Sequence, residues 1–467
     1  MQENEFIRKV KEKLENQHLT YQITTFGCQL NENDSEKIAG MLEMLGYEKA
    51  SAGQSADMIV FNTCCVRENA EERLFGKIGE IKKSKQEKNV MIAVGGCMMQ
   101  EQQMVNKIKK SYPYVDIIFG THTLQNLPEN IYKTMIKNEK VRDVIDVEGE
   151  IYEDLPIKRN SQFSANVTIM YGCNNFCTYC IVPYVRGRER SRKPEKILAE
   201  INDLANQGYK EITLLGQNVN SYMRTERENG TVTSEIDSFA KLLYEVAKIE
   251  GIEKINFISP HPKDFTDDVI EAIAKLEKIS RIIHLPLQSG NSKVLKEMNR
   301  KYTKEQYLEL VDKMIQKIPN LSLSTDIIVG FPGETDEEFE DTLDVVRKVN
   351  FEQIFMFIYS PREGTIAAKR DDQISEKIKH QRFDKLKELY ESKVEENNEK
   401  YIGTIHNLLI EGKSKNDSSM FTGRTDTNKV VIFEPKEGYK IGDMVKIKLT
   451  ENHKWYFKAE IISKNET

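Results

Sequence analysis

The sequence predicts an α/β protein of three parts: an N-terminal domain with a parallel sheet, a partial (β/α)6 barrel, and a small C-terminal all-β barrel. Three observations lead to this prediction. Apolar strand-like runs alternate with helical segments up to about residue 138, and the alternation resumes from about residue 163. After a charged helical segment at 375–400, short strand-like runs are separated by Gly, Asn and Asp. The length of 467 residues suits about three domains.

The N-terminal part contains four strand-like runs, which are YQITTFG, MIVFNT, VMIAVGG and VDIIFG. Helical patterns separate them, and apolar strands that alternate with helices form parallel sheets covered on both faces. The segment 138–162 is rich in charge and poor in periodicity. We therefore predict a linker there, with one short strand.

The central part contains six strand-like runs: ANVTIMY, KEITLLG, EKINFIS, IIHLPLQ, LSTDIIVG and QIFMFIYS. Six strand–helix units are two short of a closed eight-unit barrel, which favours an open barrel whose active residues follow the C-terminal strand ends. The last part has five short runs: YIGTIHNLLIEG, FTGRTD, KVVIFEP, MVKIKLTEN and WYFKAEII. Short strands at this spacing predict a small β-barrel, a fold that often binds oligonucleotides.

The composition excludes several classes of protein. Hydrophobic residues make up 39% and charged residues 30%, which argues against a disordered chain. No apolar run approaches the ~18–20 residues of a membrane span, and the charged N-terminal segment lacks the apolar core of a secretory signal. We therefore expect a cytoplasmic protein that binds no membrane. The net charge of −6 means that any RNA binding depends on local basic patches.

Three of the seven cysteines, Cys173, Cys177 and Cys180, form a CxxxCxxC motif directly after the first barrel strand. Three thiolates at this spacing predict a 4Fe–4S cluster with one iron left open for a substrate or cofactor. A structural zinc site is the alternative, but zinc usually takes four ligands and no fourth Cys or His lies nearby in sequence.

Cys28, Cys64 and Cys97 each follow the end of a different N-terminal strand. Because the carboxyl ends of parallel strands meet at one edge of a sheet, we expect the three thiols to lie together and to hold a second cluster. The alternative is that they are buried packing residues, which is common for cysteine. Cys65 would point the opposite way if the strand continued, so we interpret it as a packing residue.

The motifs resemble the methylthiotransferase family of radical S-adenosylmethionine (SAM) enzymes over nearly the whole chain. The resemblance is carried by both cysteine groups and by TFGCQLNENDSEKIAGML, NTCCVRENAEER, VGGCMMQE, CIVPYVRGRERSR, LLGQNVNSY, HLPLQSG, TDIIVGFPGET and YSPREGT. It implies a methylthiotransferase N-terminal domain at 19–138, a radical SAM core at 159–392 and an RNA-binding TRAM domain at 395–464. The position after Cys64 varies in the family, which agrees with a role for Cys65 other than ligand.

The resemblance also implies cofactors and site residues. Cys173, Cys177 and Cys180 would hold the SAM-binding 4Fe–4S cluster and act in catalysis, and the three N-terminal cysteines would hold an auxiliary 4Fe–4S cluster. Residues at three successive strand ends would contact SAM, with ordinary turn chemistry as the alternative. These residues are Gly216, Gln217, Asn218, Gln288, Ser289, Gly330 and Glu334.

The run RGRERSRK carries five cations and one anion just after the cluster loop. Its arginines, which are Arg186, Arg188, Arg190 and Arg192, are candidates for RNA phosphates or a SAM carboxylate, with a solvated surface face as the alternative. Tyr184 could stack on a base or simply pack. We interpret His261, between two prolines at the end of the third barrel strand, as a turn residue.

The resemblance is strongest to the enzymes that convert C2–H of a prenylated adenosine, at position 37 of tRNA, to C2–SCH3. In that reaction one SAM methylates sulfur at the auxiliary cluster, and a second SAM generates the radical. The expected partners are the anticodon stem-loop of a prenylated tRNA and an unidentified electron donor, and the expected state is a monomer. Two alternatives remain open. One is methylthiolation of threonylcarbamoyladenosine in tRNA or of a ribosomal protein, and the other is a non-catalytic iron–sulfur RNA-binding protein.

Overall fold

The structure is a computed structural model that describes residues 5–15, 17–51, 53–65, 68–88, 90–145, 151–425, 427 and 429–464. It confirms the predicted α/β class and the succession of a parallel sheet, a partial barrel and a small β-barrel. Residues 146–150 of the predicted linker lie outside the described residues. Within the described part of the chain, no helix is both long and apolar enough to cross a membrane.

The N-terminal domain contains a six-stranded, fully parallel sheet in the order β2-β1-β3-β4-β5-β6. Its strands are β1 (Thr20–Thr25), β2 (Glu48–Lys49), β3 (Met58–Thr63), β4 (Met91–Gly96), β5 (Ile117–Phe119) and β6 (Val141–Asp143). Its helices are α1 (Glu5–Leu14), α2 (Gln29–Leu45), α3 (Glu68–Glu80), α4 (Lys82–Lys88), α5 (Gln102–Ser111) and α6 (Leu127–Lys137). All six residues of β3 are buried, as expected for a parallel strand with both faces covered.

Two short edge strands, β2 and β6, extend the four-stranded sheet that the sequence predicts. β6 lies in the segment 138–162, where we predicted one short strand. Separate apolar cores fill the two faces of the sheet. The sheet is therefore a rigid support whose C-terminal edge carries the three N-terminal cysteines.

The central domain contains all six predicted barrel strands together with a short hairpin. The strands are β7 (Ser164–Thr168), β8 (Met170–Tyr171), β9 (Arg190–Ser191), β10 (Glu211–Leu215), β11 (Lys254–Phe257), β12 (Ile282–His284), β13 (Ser322–Val329) and β14 (Gln353–Ile358). The helices are α7 (Val182–Val185), α8 (Pro194–Asn206), α9 (Arg224–Glu228), α10 (Phe239–Ala247), α11 (Asp267–Lys275), α12 (Ser292–Glu297), α13 (Lys304–Lys317), α14 (Asp336–Val349) and α15 (Glu376–Glu399).

Hydrogen bonding divides the barrel into two parallel sheets of three strands, β11-β10-β7 and β12-β13-β14. One bridge, between Ile255 and Ile279, extends the first sheet towards the second. A single large apolar core nevertheless joins the strands and the surrounding helices. In β13 buried and half-buried residues alternate, which is the pattern of a strand that packs on helices with one face and borders the barrel interior with the other.

The C-terminal domain is a closed five-stranded barrel in the order β15-β16-β17-β19-β18. Its strands are β15 (Ile405–Lys413), β16 (Phe421–Thr425), β17 (Val430–Phe433), β18 (Met444–Asn452) and β19 (Phe457–Lys464). Tyr401 donates to Glu352, just before β14, at 2.7 Å. A side chain at Gly442 would lie 3.9 Å from the ring of Phe163, just before β7. The small barrel therefore lies at the N-terminal ends of the central strands, opposite the cysteine loop.

Helix α2 joins the N-terminal sheet to the edge of the central barrel. Asn33 donates to the carbonyl of Asn166 at 3.1 Å and accepts from Thr168 at 2.9 Å, both on β7. Arg159 pairs with Glu36 of α2 at 3.1 Å and with Glu200 of α8 at 2.6 Å. These buried polar contacts fix the N-terminal domain on the barrel, and they bring the C-terminal edges of the two sheets near each other.

Candidate functional site

The barrel-loop cysteine group consists of Cys173, Cys177 and Cys180, which follow β8. Cys173 and Cys177 are buried and Cys180 is half-buried. Burial, together with the proximity of Cys177, raises the pKa of Cys173 to about 11 and that of Cys180 to about 12. Each thiol makes ionisation of its neighbours less favourable. Bound iron would offset this repulsion through its positive charge, so the three thiols suit an iron site.

The loop that carries this group is held by backbone contacts. Cys173 N–H donates to the Gly187 carbonyl at 3.2 Å, and Cys180 N–H donates to the Cys177 carbonyl at 2.9 Å. Gly172 has a φ of +73°, and a Cβ there would lie 2.0 Å from the Arg188 carbonyl oxygen. Only glycine allows the strand end and the return segment to approach this closely.

A buried arginine, Arg300, contacts the barrel-loop cysteine group from the segment after α12. Its Nη1 lies 3.4 Å from the Sγ of Cys177, and its Nη2 donates to the Pro286 carbonyl at 3.1 Å. Sequence reasoning missed this residue, since nothing in the string MNRKY distinguishes it from a surface arginine. Its position supplies positive charge to a site that has to accept electron density.

The N-terminal cysteine group consists of Cys28, Cys64 and Cys97, at the ends of the neighbouring strands β1, β3 and β4. A Cβ at Gly27 would lie 2.8 Å from the Cβ of Cys64. Gly96 has a φ of +98°, and a Cβ there would lie 2.4 Å from the Thr63 carbonyl oxygen. Glycine before two of the cysteines thus lets three strand ends converge, as the topology argument predicts.

The fourth N-terminal cysteine, Cys65, also belongs to this edge. Strand β3 ends at Thr63, so the alternation that would turn Cys65 away does not apply, and Cys65 packs with Cys97, Ile181 and Val185. Cys65 donates a hydrogen bond to Cys97, which raises the Cys65 pKa well above its ordinary value. The same bond, with help from Arg186, lowers the pKa of Cys97 to about 6.

Three of the predicted SAM-contacting residues present unsatisfied acceptors. The side-chain carbonyl oxygens of Gln217, Asn218 and Gln288 are buried and have no hydrogen-bond partner among the described residues. They lie at the ends of β10 and of the segment after β12. Buried acceptors without donors are costly, so these oxygens fit a ligand that brings its own N–H or O–H groups, as SAM does. Gln288 also has the rare φ of +69°.

The other four predicted SAM contacts pack closely within the fold, and their contact with SAM stays a prediction. A Cβ at Gly216 would lie 2.6 Å from Met170, and one at Gly330 would lie 2.4 Å from Lys379. Ser289 is buried and lies 3.5 Å from the Thr342 hydroxyl. Glu334 accepts from the Gly330 N–H at 2.8 Å and from Arg382 at 2.9 Å. These residues shape the turns that carry the acceptors.

His261, which we interpreted as a turn residue, also has a ring nitrogen that is available to a ligand. Its Nδ1 accepts from the Lys263 N–H at 3.2 Å, which leaves the proton of the neutral ring on Nε2. Burial and the nearby charge of Arg300 lower the pKa of His261, so the ring is neutral. Nε2 is buried without a partner among the described residues. It is a donor available to a ligand at the ends of β10 and β11.

The four arginines of the basic run divide into two kinds. Arg186 and Arg192 are buried and face carboxylates, Arg186 through Asp34 and Arg192 through Glu153 and Glu200. In this structure they are thus not accessible to RNA phosphates. Arg190 is half-buried, with Nη2 3.3 Å from the Arg186 carbonyl oxygen.

Arg188 is exposed and stacks over the ring of Phe176 at 4.2 Å. Tyr184 stands beside the same ring, with 6.4 Å between the centroids, and is 51% exposed. These two side chains keep the predicted capacity to contact RNA.

Within the described residues, no group of three or more His, Cys, Asp or Glu side chains converges on a single metal ion. A four-iron cluster distributes its ligands over separate iron atoms, so its thiolates need not meet at one point. The donor sets of both cysteine groups, three thiols each, therefore fit iron–sulfur clusters better than a zinc ion.

Comparison with known families divides the chain as the fold does. Residues 167–346 match the model of the radical SAM superfamily, residues 20–120 match the uncharacterized protein family UPF0004, and residues 399–462 match the TRAM domain. The radical SAM superfamily uses SAM and a 4Fe–4S cluster, which agrees with the motif of the barrel loop.

A solved structure of the radical SAM methyltransferase TsrM from Kitasatospora setae is similar in fold. The TM-score is 0.52 at 13% identity, covering 75% of this chain and 77% of that one.

Full-length relatives are similar over nearly the whole chain. The tRNA-2-methylthio-N(6)-dimethylallyladenosine synthase of Thermoanaerobacter pseudethanolicus is 48% identical over 461 residues, which cover 98% of this chain and 96% of the relative. The enzyme of the same name from Clostridium botulinum is 51% identical, covering 94% and 96%. That of Acetivibrio thermocellus is 50% identical, covering 95% and 91%. The chain therefore belongs to the family of the tRNA-2-methylthio-N(6)-dimethylallyladenosine synthases.

Proposed function

We propose that this protein is a radical SAM methylthiotransferase that converts C2–H of N6-isopentenyladenosine, at position 37 of tRNA, to C2–SCH3. The observation that carries the proposal is the pairing of two three-cysteine groups at the facing edges of two sheets, one of them beside unsatisfied acceptors that suit SAM. Family membership supports the identity of the substrate, and the residues of the site support the type of reaction.

Separate residues of the central domain would bind the cluster and SAM. Cys173, Cys177 and Cys180 would hold the SAM-binding cluster, which when bound supplies the electron that cleaves SAM. Gln217, Asn218 and Gln288 would accept hydrogen bonds from SAM and orient it over the loop. Burial of these groups would exclude water, which protects reactive species formed there.

Cys28, Cys64 and Cys97 would hold an auxiliary 4Fe–4S cluster that provides the sulfur. Their support is rigid, because buried asparagines tie the strand ends to α2. Asn31 donates to the Thr63 carbonyl at 3.0 Å, and Asn62 donates to the Asn31 carbonyl at 2.7 Å. Three ligands would leave one iron of the cluster open, which methylation of a bound sulfide requires.

The anticodon stem-loop of the prenylated tRNA would span two surfaces. Arg188 and Tyr184 would contact RNA beside the cysteine loop, and the TRAM barrel would contact it at the opposite end of the central domain. Trp455 is 55% exposed on that barrel and could stack on a base. We propose that the enzyme acts as a monomer in the cytoplasm with an electron donor that is still to be identified.

The proposal is tested with protein reconstituted anaerobically with iron and sulfide, then incubated with SAM, a reductant and an anticodon stem-loop carrying isopentenyladenosine. Mass spectrometry of the digested nucleosides should reveal methylthio-isopentenyladenosine. Release of 5′-deoxyadenosine without that product would redirect the search to threonylcarbamoyladenosine or a ribosomal protein. Neither product, at full iron content, would leave a non-catalytic RNA-binding protein.

A further inference from the structure

One buried guanidinium, that of Arg186, lies at the junction of the two cysteine groups. It follows α7 in the central domain and is 5% exposed. Its Nε donates to the Sγ of Cys97 at 3.0 Å, and its Nη2 lies 2.8 Å from the Oδ2 of Asp34. Asp34 lies on α2, the helix that begins directly after Cys28. One side chain thus contacts a cysteine and a helix that both belong to the N-terminal group.

The backbone beside Arg186 is tied to the other cysteine group. Ile181, which follows Cys180, packs with Val185 against Cys65 and Cys97. The next residue after Arg186, Gly187, accepts the hydrogen bond from the Cys173 N–H. The segment between Cys173 and Gly187 is therefore held to the barrel-loop group at both of its ends and to the N-terminal group in between.

A third contact fixes this segment from the N-terminal side. Thr121, just after β5, donates through its hydroxyl to the Val185 carbonyl at 2.6 Å. The guanidinium itself is costly to bury, so it requires nearby negative charge. Asp34 supplies one carboxylate and the Cys97 thiolate supplies further charge. A hydrogen-bond donor and a positive charge next to a cluster thiolate stabilise the reduced cluster, which raises its reduction potential.

We propose that Arg186 is a positioning residue of the auxiliary-cluster site, and that it sets the reduction potential of that cluster and holds the two cysteine groups at a fixed separation. The inference rests on the proposed function in one respect, since it requires a cluster on Cys28, Cys64 and Cys97. It makes the N-terminal site dependent on the central domain, which contributes the arginine that contacts Cys97.

Redox titration followed by electron paramagnetic resonance tests the proposal on the doubly reconstituted full-length protein, where added SAM identifies the signal of the SAM-binding cluster. In Arg186→Gln the auxiliary cluster should titrate at a more negative potential and bind its iron about 10–100-fold less tightly in competition with a chelator. Asp34→Asn should shift the potential in the opposite direction, because the guanidinium then faces the cluster without its carboxylate. Arg186→Lys should restore part of the potential, since it keeps the charge.

Arg300→Gln is the matched control. It removes a buried arginine beside Cys177, so it should shift the potential of the SAM-binding cluster and leave the auxiliary one unchanged. If Arg186→Gln and Asp34→Asn shift the auxiliary potential in the same direction, or not at all, Arg186 has only a structural role and the inference is wrong. If the wild-type protein holds four irons instead of eight, the auxiliary cluster of the proposed function fails before Arg186 is tested.

Discussion

The two cysteine groups are built from the chain in different ways. Cys173, Cys177 and Cys180 lie within eight residues on one loop, whereas Cys28, Cys64 and Cys97 are separated by 36 and 33 residues. The first group depends on local spacing and the second on the convergence of parallel strand ends. The difference teaches that strand topology can bring a candidate ligand set together even when its members are too far apart in sequence to form a motif.

The groups also differ in how they obtain positive charge. Arg300, beside Cys177, belongs to the same domain as the barrel-loop group. Arg186, beside Cys97, comes from the central domain and crosses to the N-terminal one. The proposed barrel-loop site therefore takes its arginine from its own domain, whereas the proposed N-terminal site takes its arginine from the central domain. The predictions below test that contrast.

The largest expected effect separates the two groups by their chemistry. Cys177→Ala should abolish SAM cleavage, because the remaining thiols cannot hold the cluster that binds SAM. Cys97→Ala should leave 5′-deoxyadenosine formation measurable while reducing methylthiolated product to background. Chromatography of 5′-deoxyadenosine and mass spectrometry of the nucleosides measure both in one reaction. Loss of SAM cleavage in both variants would mean that the groups are not separate sites.

The next effect distinguishes two adjacent thiols within the N-terminal group. Cys64→Ala should lower the iron content from about eight to about four per chain, since it removes a proposed ligand. Cys65→Ala is the matched variant and should keep both clusters, because Cys65 only donates a hydrogen bond to Cys97. Iron and sulfide analysis after reconstitution provides the measurement. The reverse pattern would assign the ligand to Cys65.

The N-terminal and central strands were predictable from the sequence, because they form apolar runs that alternate with helical segments. All six residues of β3 are buried, and the central strands β7, β10 and β11 alternate buried with half-buried residues. The separation of the central strands into two sheets was not predictable, since it depends on the hydrogen bonding between β11 and β12 and not on either strand's pattern.

The candidate site was predictable where it lies at strand ends. Topology places Gln217, Asn218 and Gln288 there, and their unsatisfied oxygens agree with the expected ligand. Contacts between residues remote in sequence could not be predicted. Arg186 resembled a phosphate ligand in the sequence because the carboxylate that it faces, that of Asp34, lies 152 positions earlier and gives no local signal. The sequence around His261 shows only its two neighbouring prolines. That its Nε2 lacks a partner among the described residues depends on the three-dimensional packing, which the sequence does not show.

A smaller expected effect is on the pH dependence of stability, through a buried carboxyl group of the central domain. Glu189 is 4% exposed and accepts from Ser221 at 2.7 Å, and burial raises its pKa to about 7 from 4.5. The folded state therefore binds this proton more tightly than the unfolded state. The resulting stability is fully present below pH 4.5 and is lost as the pH rises through about 7. The full shift corresponds to about 3 kcal/mol.

Thermal unfolding at several values between pH 5 and pH 8 measures this effect. Glu189→Gln should unfold at a temperature that depends less on pH than that of the wild type, with the two curves close together near pH 5 and diverging towards pH 8, where the buried carboxyl group of the wild type ionises. Glu195→Gln, on the exposed face of α8, controls for the loss of one carboxylate. Parallel curves for wild type and Glu189→Gln would show that Glu189 is ionised across this range.

The smallest expected effect concerns the arginine of the basic run that faces solvent. Arg188→Gln should weaken tRNA binding a few-fold and reduce the slope of log Kd against log salt by about one, because one phosphate contact is lost. The loss should be equal for prenylated and unprenylated stem-loops, since a phosphate contact does not read the base. Fluorescence anisotropy at several salt concentrations measures the slope, and Arg347→Gln on α14 serves as the exposed-arginine control. An unchanged slope would remove Arg188 from the RNA surface and leave the TRAM barrel, at the other end of the central domain, as the site of phosphate contact.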